Sequence, residues 1–182
     1  SADQASSKKL NIVNIINNEV KVELGKPSPA AGELAFKSLE AAVEDFKNGL
    51  VDALVTAPIN KNSIQSDSFS FPGHTEYFAS KFNVSECLMI MVKDNLRIAV
   101  VTGHVPVSEI SKKISQDLIS AKLNIFYQSL QQDFAIRKPR IAVLGLNPHA
   151  GDEGVIGNEE QDVIVPVIES FRKEGKLVFG PY

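Results

Sequence analysis

The sequence predicts an α/β fold, a three-layer α/β/α sandwich with a mixed or mainly parallel sheet. Three observations carry that expectation. "CLMIMV", "LRIAVVT" and "RIAVLGLN" are continuous apolar runs of strand length rather than alternating ones, as in strands covered on both faces. Segments of helical period alternate with them, which is how helices come to cover a sheet. The chain has 182 residues, 43% of them hydrophobic and 23% charged, enough for one sizeable core.

Residues 1–27 read as an N-terminal segment and 28–182 as a central α/β region. "SPAAGELAFKSLEAAVEDFKNG" (28–49) is a helix with Ser28 as N-cap and Pro29 in the first turn. Leu34, Ala35, Leu39, Ala42, Val43 and Phe46 form its apolar stripe, and Gly49 stops it. "VDALVTA" follows as a short strand. "PINKNSIQSDSFSFPGH" is polar and punctuated by Pro and Gly, so it is loop for most of its length, and "TEYFASKF" is a short helix. "CLMIMV" and "LRIAVVT" are strands separated by "KDN", a composition suited to a tight turn.

Residues 108–134 are largely helical, with Ile114, Leu118, Ile119, Ile125, Phe126 and Leu130 at helical spacing and a break near "SKKISQD". "PRIAVLGLN" is a strand. "EEQDVIVPVIESFRKEG" reads as a helix in spite of Pro166, and "KLVF" is the last strand. The polar opening and the end at "GKLVFGPY" read as the limits of a piece cut from a longer polypeptide.

Composition excludes several classes of function. A net charge of −3, with Lys and Arg only in short interrupted pieces, offers no field for a nucleic-acid backbone. No apolar stretch reaches membrane-spanning length, and "SADQASSKKL" lacks the basic and apolar regions of a secretory leader, which points to the cytoplasm. The single cysteine, Cys87, is expected in the core as a small hydrophobe. Neither GxGxxG nor GxxxxGK[ST] occurs, so neither dinucleotide nor P-loop fingerprint is present.

The chemistry-bearing residues share a position. Lys61, His104 and His149 each follow a predicted strand, at the edge where open α/β sheets bind ligands. His74 and Thr75 open a helix whose N-terminal amides suit an anion. Asp152, Glu153, Glu159 and Glu160 read as flanking and starting the next helix, where carboxylates favour the dipole. Taken singly, each His has a plain structural reading; the joint placement argues for a site. Two imidazoles at strand ends suit a borderline divalent ion, which leaves three readings open: a carboxylate as third ligand, a third ligand outside the chain, or no metal.

Taken as strings, "DALVTAPINK", "FPGHTEYFA", "LRIAVVTGHVP" and "GLNPHAGDEGVIGNEE" closely resemble the 4-hydroxythreonine-4-phosphate dehydrogenase (PdxA) family. The resemblance runs from about Ser28 to Tyr182 and covers a middle portion of the family's length. It implies two lobes similar to the isocitrate and isopropylmalate dehydrogenases, a homodimer, and NAD or NADP with a divalent metal (Zn, Mg, Co or Ni) as cofactors. The implied reaction oxidises and decarboxylates 4-phosphooxy-L-threonine to 3-amino-2-oxopropyl phosphate in pyridoxal phosphate biosynthesis.

Residue by residue, the resemblance implies that His74 and Thr75 bind the phosphorylated substrate, with Lys61 as a further partner. His104 and His149 match metal ligands whose third histidine lies beyond Tyr182. Asn147, Gly151, Asp152 and Glu153 become cofactor-binding candidates, although "GDEG" departs from the family's usual residues there. His104 and His149 are expected to approach one another, with His74 nearby but not a ligand, and the isolated piece is expected to be inactive. The alternatives are a paralogous dehydrogenase of a four-carbon phosphorylated sugar acid (erythronate or threonate 4-phosphate) and a non-enzymatic phosphate- or metal-binding α/β module.

Overall fold

The computed structural model describes residues 2–21 and 23–182. The chain divides into two compact units, one up to Ser85 and the other from Glu86 to Tyr182. No helix among the described residues is long and apolar enough to cross a membrane.

The first unit is built on helix α1 (Pro29–Lys47) and helix α2 (His74–Lys81). The Ser28 hydroxyl accepts from the Ala31 amide and caps α1, as the sequence predicts. Asn48 ends it, and Gly49 follows at φ +68°, a conformation that only glycine adopts without strain. Leu39 and Val43 on the buried face pack with Ile64, Phe69 and Tyr77. Phe36, Phe71 and Phe78 surround Tyr77 with ring centroids 5.5–6.2 Å away. Gly32 lies so close to the 63–64 backbone that a Cβ there would collide with the Ser63 carbonyl.

The expected strand "VDALVTA" is not formed. Among the described residues, 51–58 make no backbone–backbone hydrogen bond, and Val55 is 98% exposed. β-propensity alone does not make a strand; a neighbouring edge does.

In the second unit, β1 (Ile90–Lys93) and β2 (Leu96–Ala99) form an antiparallel hairpin pairing Ile90 with Ala99 and Lys93 with Leu96. Asp94 turns it at φ +49°, the left-handed conformation that Asp tolerates better than most residues. A 3₁₀ turn leads into α3 (Ile110–Lys113), and the predicted break falls at Ile114 and Ser115. Ser115 caps α4 (Gln116–Gln132) by accepting from the Leu118 amide.

Strand β3 (Arg140–Ala142) pairs in parallel with β4 (Leu177–Phe179). The pairing continues beyond both strands through Val143 N–H to Phe179 O at 2.8 Å, Tyr182 N–H to Val143 O at 3.0 Å, and Gly145 N–H to Tyr182 O at 2.8 Å. Between the strands, a π turn over Glu160–Ile164 runs into α5 (Val165–Lys173). Pro166 is tolerated because it stands in the first turn of α5, where its missing N–H is not needed. Ile119, Leu123, Phe126 and Leu130 of α4 meet Ile164, Val167, Ile168 and Phe171 over Ile141 and Val178 to make the core.

The α/β class therefore holds; the described strands make two separate two-stranded sheets, one antiparallel and one parallel, and do not by themselves display the three-layer sandwich. The apolar runs were long enough for strands, but only three or four residues of each are paired as regular strand, with single bonds at Val100, Val143 and Gly145 extending them. Cys87 also departs from expectation, being exposed rather than in the core. It precedes β1, and its carbonyl accepts from Lys122 Nζ at 2.7 Å while the thiol stays outside.

Candidate functional site

In the first unit the candidate residues gather at the start of α2. Gly73 is the N-cap and supplies no side-chain bond, so the opening amides of the helix are not capped from that position. A Cβ built on Gly73 would stand 3.7 Å from Glu76 Oε2 and 3.9 Å from Lys61 Cε, which puts Lys61 beside the helix start. Lys61 is exposed, while His74 and Thr75 are half-buried. His74 stacks on Phe78 at 6.0 Å with the rings 27° apart, and its Nε2 is buried without a hydrogen-bond partner. His74, Thr75, the opening helix amides and the Lys61 stem are groups that suit an anion, and the Glu76 carboxylate stands among them with the opposite sign.

In the second unit His104 and His149 both follow strands and both stand exposed. Each has a left-handed backbone, at φ +55° and +52°. His149 begins a run of left-handed residues: His149, Ala150, Gly151, Asp152 and Glu153 take φ values from 47° to 85°. Four of them carry a Cβ, at a cost of roughly 1–2 kcal/mol each in this conformation. Such strain persists only where surrounding structure fixes it.

Within the run, the Ile156 amide donates to Gly151 O and the Val155 amide to Asp152 O; beside it stands Glu160, only 1% exposed. Its Oε1 accepts from the Leu146 and Asn147 amides, each at 2.7 Å, and its Oε2 accepts from Asn147 Nδ2 at 3.1 Å. Asn147 Nδ2 also donates to Glu159 Oε2 at 2.8 Å. Burial pushes the Glu160 carboxyl upward, but the bonds from the Asn147 amide and side chain, its own amide and the Leu146 amide outweigh it, so it lies below the usual carboxylate range. Glu160 read in the sequence as a helix-start carboxylate; what separates it from Glu159 is the burial of its head group, which has no periodic signature.

The turn sorts the four cofactor candidates. The Asn147 NH₂ is turned inward to Glu159 and Glu160, Gly151 is buried, and Asp152 and Glu153 face outward. The two imidazoles are donors of the kind a catalytic divalent ion takes. Among the described residues, no group of three or more His, Cys, Asp or Glu could hold a metal ion. In its chemistry each imidazole is a donor that such an ion accepts, and further donors would have to complete the set.

The family model described as pyridoxal phosphate biosynthetic protein PdxA matches residues 1–182. The chain belongs to the PdxA family. A 4-hydroxythreonine-4-phosphate dehydrogenase from Bacteroides thetaiotaomicron is 50% identical over 182 residues, which are 100% of this chain and 50% of that relative. The crystal structure of a 4-hydroxythreonine-4-phosphate dehydrogenase from Burkholderia phymatum matches with TM-score 0.81 and 32% identity, covering 100% of this chain and 56% of that one. A structure of the enzyme from Klebsiella pneumoniae matches with TM-score 0.78 and 31% identity, over 88% of this chain and 48% of that one. The chain thus spans about half the length of the PdxA relatives it matches.

Proposed function

We propose that this chain is part of an NAD(P)-dependent, metal-dependent dehydrogenase that oxidises 4-phosphooxy-L-threonine and releases CO₂ to give 3-amino-2-oxopropyl phosphate, in pyridoxal phosphate biosynthesis. Membership of the PdxA family supports the activity, and the left-handed turn that presents His149 at the end of β3 is the structural observation that carries it. His74 and Thr75 bind the phosphorylated substrate, with Lys61 neutralising its charge. The N-cap there, Gly73, has no side chain to occupy the helix start, and the first-turn Glu76 carboxylate stands beside it.

His104 and His149 hold the divalent ion, and the third ligand comes from outside residues 1–182. When bound, such an ion stabilises negative charge on the substrate oxygen. Asp152 and Glu153 are the outward residues of the turn and meet the cofactor; Asn147 and Gly151 contribute by shaping that turn. The working enzyme is a cytoplasmic homodimer.

The test is reduction of NAD or NADP with 4-phosphooxy-L-threonine by the full-length polypeptide that carries these residues. His104→Ala and His149→Ala should each abolish metal-dependent turnover, and His74→Ala should raise KM while leaving metal content nearly intact. Turnover with erythronate 4-phosphate but not with the threonine ester would replace this substrate with a sugar acid. Metal loss greatest in His74→Ala would overturn the assignment of ligands.

A further inference from the structure

The Glu160 carboxylate stands at the junction of three pieces of backbone. It receives the amides of Leu146 and Asn147 at the end of the β3 run and the side chain of Asn147. A Cβ on Gly145 would lie 3.3 Å from its Oε1, and a Cβ on Gly151 would lie 2.9 Å from its Oε2. The carboxylate therefore packs against both glycines, together with the Gly157 carbonyl, which a Cβ on Gly151 would meet at 2.5 Å, and the Asn147 carbonyl, which a Cβ on Gly145 would meet at 3.3 Å. One of those glycines ends the strand, and the other sits inside the left-handed turn two residues after His149.

We infer that Glu160 is a positioning residue for His149, acting through Asn147 and the 145–151 backbone rather than by contact with a ligand. The chemistry of the space admits little else. Three N–H groups point at the two oxygens, so an acceptor is needed on both. A glutamine would keep the amide bonds on its carbonyl oxygen but turn its NH₂ toward the NH₂ of Asn147, which Glu159 holds in place. An aspartate would be one methylene short. A carboxylate needed only to favour a helix start would sit at the surface and satisfy that role from there; this one is buried and directed across to the strand end. It opens a π turn, a distortion that often accompanies functional positions.

The consequence for metal binding rests on the reading of His149 as a ligand; the positioning itself does not. The experiment uses the isotopically labelled 182-residue chain and its Glu160→Ala, Glu160→Gln and His149→Ala variants. HN–Hα couplings and ¹³Cα shifts of His149, Ala150, Asp152 and Glu153 report positive φ, Ile119 and Val178 methyl resonances report the core, and Zn²⁺ is titrated against the imidazole resonances. Glu160→Ala should lose the positive-φ signature with the core resonances unmoved, and the Zn²⁺-induced shift of the His149 imidazole should be reduced or lost. Glu160→Gln should fall between it and wild type.

A Glu160→Ala turn that keeps its positive-φ signature overturns the inference. If that variant does not fold, Glu160→Gln decides: couplings indistinguishable from wild type overturn it, and shifted ones confined to 146–154 uphold it. If Glu160→Ala melts the turn while His149→Ala leaves Zn²⁺ binding unchanged, the positioning role stands and the metal reading falls.

Discussion

The Tyr77 hydroxyl donates to Glu40 Oε1 at 3.0 Å across 37 residues of sequence, and Lys81 Nζ pairs with the same oxygen. Tyr77 itself is 0% exposed, so the bond joins α1 to α2 at the wall of the aromatic core. Burial first, and the Glu40 carboxylate second, push the Tyr77 hydroxyl above its ordinary range. A group raised in the folded state contributes stability that is present below the ordinary phenol pKa and is lost as pH climbs past it toward the raised value. Tyr77→Phe should cost about 0.5–1.5 kcal/mol at neutral pH, and its stability should decline less steeply in alkali. Urea unfolding at neutral pH and above about pH 10 measures both; an alkaline decline as steep as wild type's would contradict the role given to burial.

Gly32→Ala reverses the usual rule for helices. In a helix interior alanine is better than glycine by about 0.5–1 kcal/mol. Here the added methyl collides with the Ser63 carbonyl, so α1 must lift from the 63–64 segment. Thermal unfolding should show the variant destabilised by about 1–3 kcal/mol, as for overpacking.

His74→Phe separates stability from binding. The buried Nε2 without a partner is a cost to the fold, and the ring already stacks on Phe78, so a phenyl ring is accommodated. The variant should be more stable by about 1 kcal/mol, a common size for relief of a functional compromise, and should lose inorganic phosphate binding measured by calorimetry. Unchanged phosphate binding would remove His74 from the anion site.

Glu160→Gln should alter the response to acid. A carboxyl lowered in the folded state contributes stability above its ordinary range that is lost as pH falls through the lowered value. The variant should be less stable than wild type by about 1.5–3 kcal/mol at neutral pH, the range for bonds to a charged group. The difference should shrink on acidification, because wild type then loses the same charge. Denaturant unfolding from neutral to acid pH measures the gap, and a constant gap would assign the loss to packing instead.

Local rules made the helices legible. The break near "SKKISQD" was visible, and the structure places the restart at the Ser115 cap. Ser28 and Pro29 announce α1 and Gly49 follows its end, because each acts through atoms a few residues away. The "KDN" hairpin was readable for the same reason. "VDALVTA" failed because a strand is a relation between two segments and its own residues cannot supply the second. Cys87 failed because an apolar run does not say which of its members begin before the paired strand does. At the site, the placement of His104 and His149 after strands was visible, whereas the role of Glu160 was not. Its sequence context is that of an ordinary helix-start acid; its burial, its bonds to the Leu146 and Asn147 amides and the close approach of Gly145 and Gly151 distinguish it only in three dimensions.

The two sheets impose different timetables on the chain as it is synthesised. The β1–β2 hairpin joins neighbours and can close as soon as its turn has left the ribosome. The strand end that leads to His149 cannot: Gly145 waits for the carbonyl of Tyr182, and Val143 for both Phe179 and Tyr182. Everything from the left-handed turn through α5 must therefore be made and gathered back before that end is held. Nascent chains halted before Tyr182 would carry a finished hairpin beside an unanchored turn, exposing the stretch after Ala142 to proteases and chaperones while the rest of the unit is already folding.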